Sequence, residues 1–322
     1  MLWSTLASLL LPLVPSLVQA YANPGACSGD CFTHDPAVVR RADGKYFRFS
    51  TLDRIGIWTA DNLAGPWTRS GSVIQGASII NQPGNAELWA PDVSYIRGRY
   101  YLFYSVSTSG SQTSAIGYAT STSLDAGTWT DYGAVITSTG SSPYNAIDAT
   151  LVNGTNPDEF YLSWGSYWGQ IYQSRVAIDG PYVFASGNEV QIAHDPVRAA
   201  MEGAYIYRKN GYFYMFLSVG QCCTYNPLPA ANVEYHILMC RSTSAKGPYT
   251  DKAGKSCLNG GGTPVLASHD NVYAAGGQGV LVDPTYGEVL YYHYLDPRVG
   301  YDYKQAKFGW NTINWVDGWP TV

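Results

Sequence analysis

Short apolar runs with the period-two alternation of a half-buried strand recur five times along the chain, each followed by a second run dense in tyrosine. The pairs read AVVRR then YFRFS, DVSYIRG then YYLFYS, ATLVNG then EFYLSWGS, GAYIYRK then YFYMFLS, and GVLVDP then VLYYHY. Runs such as SAIGYAT and YHILMCR fit a third strand. A fourth is announced by a glycine turn followed by an aromatic residue, in LAGPWT, DAGTWT, IDGPYV and AKGPYT, with INWVDGWPTV as the last copy. Beyond the first twenty residues no segment carries a helical period of convincing length. Repetition of strands alone, about 55 residues apart over four copies and about 75 for the last, predicts an all-β chain folded as a five-bladed β-propeller with four antiparallel strands per blade. Because every copy is complete in consecutive sequence, ring closure is expected to need no borrowed strand.

A polar residue opens each inner run: Asp35, Asp92, Asp148, Glu202 and Gln278. A propeller gathers equivalent positions around one axis, so four acids at one repeat position would converge there. Like charges raise one another's pKa, which makes such a cluster costly for a purely structural chain and useful for a reaction that needs both an acid and a base. Any one of these acids taken alone reads as a turn former at a strand start. The shared register carries the functional reading.

Composition narrows the classes. The net charge is −5 with no basic run, so neither nucleic acid nor an anionic membrane surface is expected as a partner. The 27 tyrosines, against 13% charged residues, give flat faces that also carry a hydroxyl, a surface suited to sugars. Residues 1–20, MLWSTLASLLLPLVPSLVQA, hold no charged side chain and end on small residues at Val18 and Ala20, as a cleaved secretion signal does. One domain over 21–322 follows, expected to be secreted and to work as a monomer. In that compartment the six cysteines can pair in any of 15 ways, Cys222 and Cys223 being adjacent, and Asn153-Gly154-Thr155 offers a glycosylation site at Asn153.

Several ordered motifs then coincide. His34-Asp35-Pro36, Leu88-Trp89-Ala90-Pro91-Asp92, Tyr144-Asn145-Ala146-Ile147-Asp148, Gly165-Ser166-Tyr167-Trp168 and the Gly260-Gly261-Gly262-Thr263 turn resemble glycoside hydrolase family 43, and within it the endo-1,5-α-L-arabinanases. The resemblance covers nearly all of residues 30–320. It implies inverting hydrolysis of arabinan, with Asp35 as general base, Glu202 as general acid, and Asp148 as the carboxylate that raises the pKa of the acid and orients it. Asp92 matches none of these three and reads as support for the site. Trp89 and Trp168 offer indole faces for sugar stacking, and Asn145 and Ser166 offer hydrogen bonds to substrate.

Two departures stand out. Many relatives carry a histidine at the fifth opener, near a central ion, where this chain has Gln278, and many carry a proline near Gly203-Ala204. The chemistry is expected to need no cofactor. A structural calcium ion on the axis would have Gln278 and His293 as candidate ligands. An exo-acting arabinofuranosidase or β-xylosidase of the same family, and a non-catalytic carbohydrate-binding propeller, are the alternative readings.

Overall fold

The computed structural model describes residues 21–322 other than 199 and 224, and the expected signal segment lies outside them. Five antiparallel sheets follow one another as blades. The first contains β1 (Ala37–Arg40), β2 (Tyr46–Ser50), β3 (Gly56–Ala60) and β4 (Thr68–Ser72). The second contains β5 (Trp89–Ile96), β6 (Arg99–Val106), β7 (Ser114–Ser121) and β8 (Thr130–Ser138). In the third, β9 (Thr150–Asn153), β10 (Phe160–Trp164) and β11 (Ile171–Asp179) are followed by a divided outer strand, β12 (Tyr182–Ala185) and β13 (Val190–Ala193), both paired to β11. The fourth holds β14 (Met201–Lys209), β15 (Tyr212–Val219), β16 (His236–Ser242) and β17 (Thr263–Leu266). The fifth is β18 (Tyr273–Asp283), β19 (Gly287–Leu295) and β20 (Lys307–Thr312). The second strands are the driest, with β2 and β10 buried along their whole length, because they lie inside a blade and face a neighbouring blade on either side. That double burial explains their continuous apolar and aromatic sequences.

Two sequence expectations give way here. GPYT in the fourth blade yields only isolated bridges, from Thr250 to Arg241 and to Ser256, and the outer strand there is β17. The C-terminal copy forms a separate hairpin, β21 (Asn314–Val316) with β22 (Trp319–Thr321), packed against the fourth blade, where the Gly318 carbonyl accepts from Tyr214 Oη and Arg241. The outer edge of the fifth blade is completed instead by the N-terminal segment. Gly25 N–H donates to the Trp310 carbonyl at 2.7 Å, Phe308 N–H to Cys31 at 2.8 Å, and Thr33 N–H to Ala306 at 2.8 Å. Closure therefore does borrow a segment. An exposed edge of β20 would have left these backbone groups unpaired.

The six cysteines pair as Cys27–Cys31, Cys222–Cys223 and Cys240–Cys257. The first of these shapes the closing segment.

The entry to every inner strand contains a residue in the left-handed region: Asp35 (φ 45°), Ala90 (44°), Asp148 (59°), Gly203 (57°) and Gly277 (58°), the last preceded in its strand by a second, Ala274 (55°). In the second, fourth and fifth blades it coincides with a register shift against the neighbouring strand, the mark of a bulge. The bulge turns its N–H toward the preceding blade. Ala90 donates to Thr51 Oγ1 at 2.8 Å, Asp148 to Ser105 Oγ at 2.9 Å, Gly277 to Ser218 Oγ at 3.0 Å, and Asp35 to His293 Nδ1 at 3.1 Å. The third blade has Gly165 at the acceptor position, with no side chain to offer, and there the Asp148 carboxylate lies beside Gly203. Four such clasps run around the axis.

This register also corrects the idea of one shared acid position. Asp35 and Asp148 are the left-handed residues themselves, Glu202 precedes one, Gln278 follows one, and Asp92 lies two past Ala90. Each bulge re-aims the side chains around it, so the acids meet from different backbone positions.

Arg48 joins the closing segment to the ring. Fully buried, it lies over Trp67 at 4.9 Å, Phe308 at 5.2 Å and Trp58 at 5.3 Å, and donates to the Asp30 carbonyl at 2.8 Å. Burial pushes its guanidinium down to about 9. Arg48→Ala should lower unfolding stability by about 2–4 kcal/mol in a urea titration, through the cavity and the orphaned carbonyl. A loss under about 0.5 kcal/mol would show that closure does not rest on this side chain.

Candidate active site

A cleft of about 650 Å³ lies over the inner-strand entries of all five blades. Asp35, Asp92, Asp148 and Glu202 all line it, as do Trp89, Asn145, Ser166, Trp168 and Gln278. His293 lies beneath Asp35, buried.

Asp35 is held as a carboxylate. Burial alone would raise its pKa, but the positive charge available on His34, with hydrogen bonds to the carboxylate, brings it well below the usual range. His34 Nδ1 lies 2.8 Å from Oδ2, and Thr51 Oγ1 donates to the same oxygen at 2.7 Å. His293 is pushed down to about 4 by burial and is therefore neutral. Its Nδ1 already accepts the Asp35 N–H, so its 3.3 Å approach to Oδ1 is not a second donated bond. His34 stacks on His293 with ring centres 4.0 Å apart, and His293 lies parallel to Tyr235 at 5.9 Å. One ring stack thus connects the surroundings of Asp35 with those of Glu202.

Asp148 and Glu202 are pushed the other way. For Asp148 burial comes first, followed by the charges of Glu202 and Asp35, and the carboxyl lies well above its ordinary value. Burial also raises Glu202, opposed by two hydroxyls: Ser166 Oγ donates to Oε2, and Tyr235 Oη donates to Oε1 at 2.8 Å. The pair resists carrying two charges at once, so a proton is held here more firmly than on an isolated carboxylate. The cleft therefore sets a carboxyl held low beside carboxyls held high, the opposition a proton-transfer reaction requires.

Asp92 is buried with Oδ2 accepting from Leu151 N–H at 3.0 Å, and burial pushes it up to about 7. Trp89 is half-buried and Trp168 is 40% exposed, so both leave indole surface facing the cleft. Asn145 is buried with Oδ1 lacking a partner among the described residues, which leaves an acceptor for a bound hydroxyl. Ser166 spends its hydroxyl on Glu202 and is thereby a support of that residue rather than a free contact. Asn153 lies at the exposed end of β9.

Gln278 is a clasp. Its Oε1 accepts from Ser218 Oγ at 2.8 Å and its Nε2 donates to the Gly203 carbonyl at 2.8 Å, across to the strand that carries Glu202. With His293 Nδ1 also taken, the two side chains are engaged with the protein and do not present a ligand pair for a cation on the axis.

Thr51, Ser105, Ser218 and Tyr235 are contributors that sequence reading passed over. Tyr235 is one of 27 tyrosines and nothing local marks it. The other three stand at one register position at the end of the second strand of their blades, a signal that becomes visible only once the bulge count is known.

A sequence model of Glycosyl hydrolases family 43 matches residues 29–320. The chain is 51% identical over 326 residues to arabinan endo-1,5-alpha-L-arabinosidase A of Aspergillus aculeatus, covering 100% of both chains. Among solved structures it resembles a GH43 endo-arabinanase from Bacillus licheniformis (33% identity, TM-score 0.78, 92% of this chain and 99% of that one). It also resembles an exo-1,5-alpha-L-arabinanase from a bovine ruminal metagenomic library (29% identity, TM-score 0.81, 91% and 98%).

Asp92 supplies a stability test. Its folded pKa of about 7 lies above the ordinary carboxyl value, so between about pH 4 and 7 the folded state keeps a proton that the unfolded state has released. Stability from this group is therefore lost as pH rises through that window. Asp92→Asn removes the term, so its unfolding free energy relative to the parent should improve from pH 5 to pH 8, by an amount on the order of 2–4 kcal/mol in urea titrations. A difference independent of pH would show that Asp92 is not held protonated.

Proposed function

The chain belongs to glycosyl hydrolases family 43, and on that footing we propose that it cleaves α-1,5-linked L-arabinan internally, by single-displacement hydrolysis with inversion. The observation that carries the mechanistic reading is the opposed electrostatics of one cleft: Asp35 pushed down by His34, Asp148 and Glu202 pushed up by burial and by neighbouring charge. Asp35 removes a proton from water, whose oxygen attacks the anomeric carbon. Glu202 gives its proton to the departing glycosidic oxygen. Ser166 and Tyr235 favour Glu202 over Asp148 as the donor, because their hydroxyls are already aimed to stabilise the carboxylate that remains. Asp148 lies beside Gly203, next to Glu202 in the chain, and the charge of Glu202 raises its carboxyl, so ionising both acids together is costly. The two carboxyls and a water balance the reaction, with no cofactor.

Arabinan is neutral, so recognition rests on shape, stacking and hydrogen bonds. Trp89 and Trp168 supply the faces and Asn145 Oδ1 an acceptor. Beyond Trp168 a second concavity continues between Tyr167 and the His194–Val197 segment, which lets a chain run through rather than end, as endo cleavage requires. Pairing of all six cysteines and the exposed Asn153 support an extracellular, glycosylated enzyme.

Glu202→Gln should lose about 10²–10⁴ in turnover of debranched arabinan while retaining oligosaccharide binding, and Asp35→Asn should be comparably inactive. Proton NMR of the first product should show the β-anomer, and a time course should begin with long oligosaccharides. Arabinose or a single short product from the outset would favour exo action, and near-normal activity of the Gln variant would remove Glu202 from its role. Gln278→Ala should reduce activity and melting temperature more than prolonged chelator treatment does, since the side chain ties the fourth and fifth blades directly. Complete, calcium-reversible loss on chelation would contradict this.

A further inference from the structure

The Cys222–Cys223 disulfide lies in the wall of the cleft, and the hydrolytic steps make no use of it. It stands on the Asp35 side, beside Gln221 and Tyr303. Cys223 Sγ is 3.6 Å and Cys222 Sγ 3.9 Å from His34 Nε2, on the far edge of the imidazole whose Nδ1 meets Asp35. The other boundaries of that ring are His293 against its face and Tyr303 edge-on at 5.6 Å. The loop bearing the disulfide is pinned by Gln221 N–H to the Val233 carbonyl at 2.7 Å and by Tyr225 Oη to the Gln221 carbonyl at 2.8 Å. Cys223 itself is left-handed, at φ 74°.

We propose that the Cys222–Cys223 disulfide is a substrate-contacting and positioning element, a rigid apolar plate for the arabinofuranosyl ring on the glycone side of the scissile bond that also fixes the imidazole of His34. This rests on the arabinan-cleaving reading above. Adjacent cysteines joined to each other close an eight-membered ring, which exposes two polarisable sulfurs and leaves little rotamer freedom to lose on binding. Sugar rings present C–H groups to such a surface as they do to an indole. The base acts at the anomeric carbon of the glycone, so a plate beside Asp35 meets that side of the chain. A disulfide sulfur is also only a weak acceptor for Nε2, so the stronger hydrogen bond of the ring is the one between Nδ1 and Asp35.

The test uses the full chain with Glu202→Gln, so that a linear α-1,5-arabino-oligosaccharide binds without being consumed. Dithiothreitol, itself oxidised to its cyclic disulfide, reduces the protein, iodoacetamide caps the thiols, and mass spectrometry follows each cysteine. Saturating oligosaccharide should slow capping of Cys222 and Cys223 at least about threefold and leave Cys27 and Cys31 unchanged. Equal rates, with binding verified by calorimetry, overturn the contact. In the otherwise wild-type chain, Cys222→Ala with Cys223→Ala should raise KM about three- to tenfold and move the acid limb of the kcat/KM profile to higher pH, because a loosened His34 holds Asp35 less firmly. Unchanged KM and acid limb in that variant overturn the positioning role. Absence of arabinan cleavage by the wild-type chain, or of oligosaccharide binding by Glu202→Gln, would instead defeat the underlying reading and the proposal with it.

Discussion

The interaction on which this molecule turns is a backbone N–H presented by a left-handed residue to a side-chain acceptor on the preceding blade, repeated at four of the five interfaces around the axis. Adjacent sheets in a propeller share apolar faces that specify contact without fixing depth or rotation. A short directional bond near the axis fixes both, and does so where the cleft begins. For a residue other than glycine the left-handed conformation costs about 1 kcal/mol or more, and Asp35, Ala90 and Asp148 all adopt it. Geometry at the axis is worth that cost, because the same strand entries set the carboxyl positions.

The third interface shows structure and chemistry sharing one atom set. With Gly165 unable to accept, the Asp148 carboxylate fills that place beside Gly203 and is also the electrostatic neighbour of Glu202. On the opposite side His293 does the corresponding work under Asp35, neutral because it is buried, and through the rings of His34 and Tyr235 it lies between base and acid. The polarity of the site thus follows from which acceptor each blade uses. A hydroxyl leaves the local field nearly neutral, a carboxylate raises its neighbours, and an imidazole that accepts from backbone stays uncharged.

Blade number and strand order were legible in the sequence because alternation and tyrosine density repeat with the backbone. Asp35, Asp148 and Glu202 were legible through their motifs, though the assumed common register was wrong. One inserted residue at Ala90, Gly203 or Gly277 shifts the count by one, and hydrophobic alternation does not resolve a single-residue bulge. Nor could pattern show that Gln278 would be consumed between Ser218 and Gly203, that Ser166 would serve Glu202, or that the cysteines would pair locally. These depend on which side chains meet across blades. The fifth blade was misread for a related reason: INWVDGWPTV has the signature of a strand pair and forms one, but against the fourth blade.

Because residues 25–33 complete the edge formed by residues 306–310, that side of the segment has no partner until nearly all of the rest exists, although the first blade already holds its other side through Asp30 N–H to the Trp67 carbonyl and Trp67 N–H to the Ser28 carbonyl. During synthesis the first blade can form early, while its N-terminal flank waits through the emergence of four more. At ribosomal speeds of about 5–20 residues per second that wait lasts on the order of tens of seconds. The small loop held by Cys27–Cys31 is then more than a staple: it can be made while the segment waits, so that a preshaped piece rather than a free strand arrives at the gap. The ring is a clasp bracelet, whose fastener is finished before the last link is made.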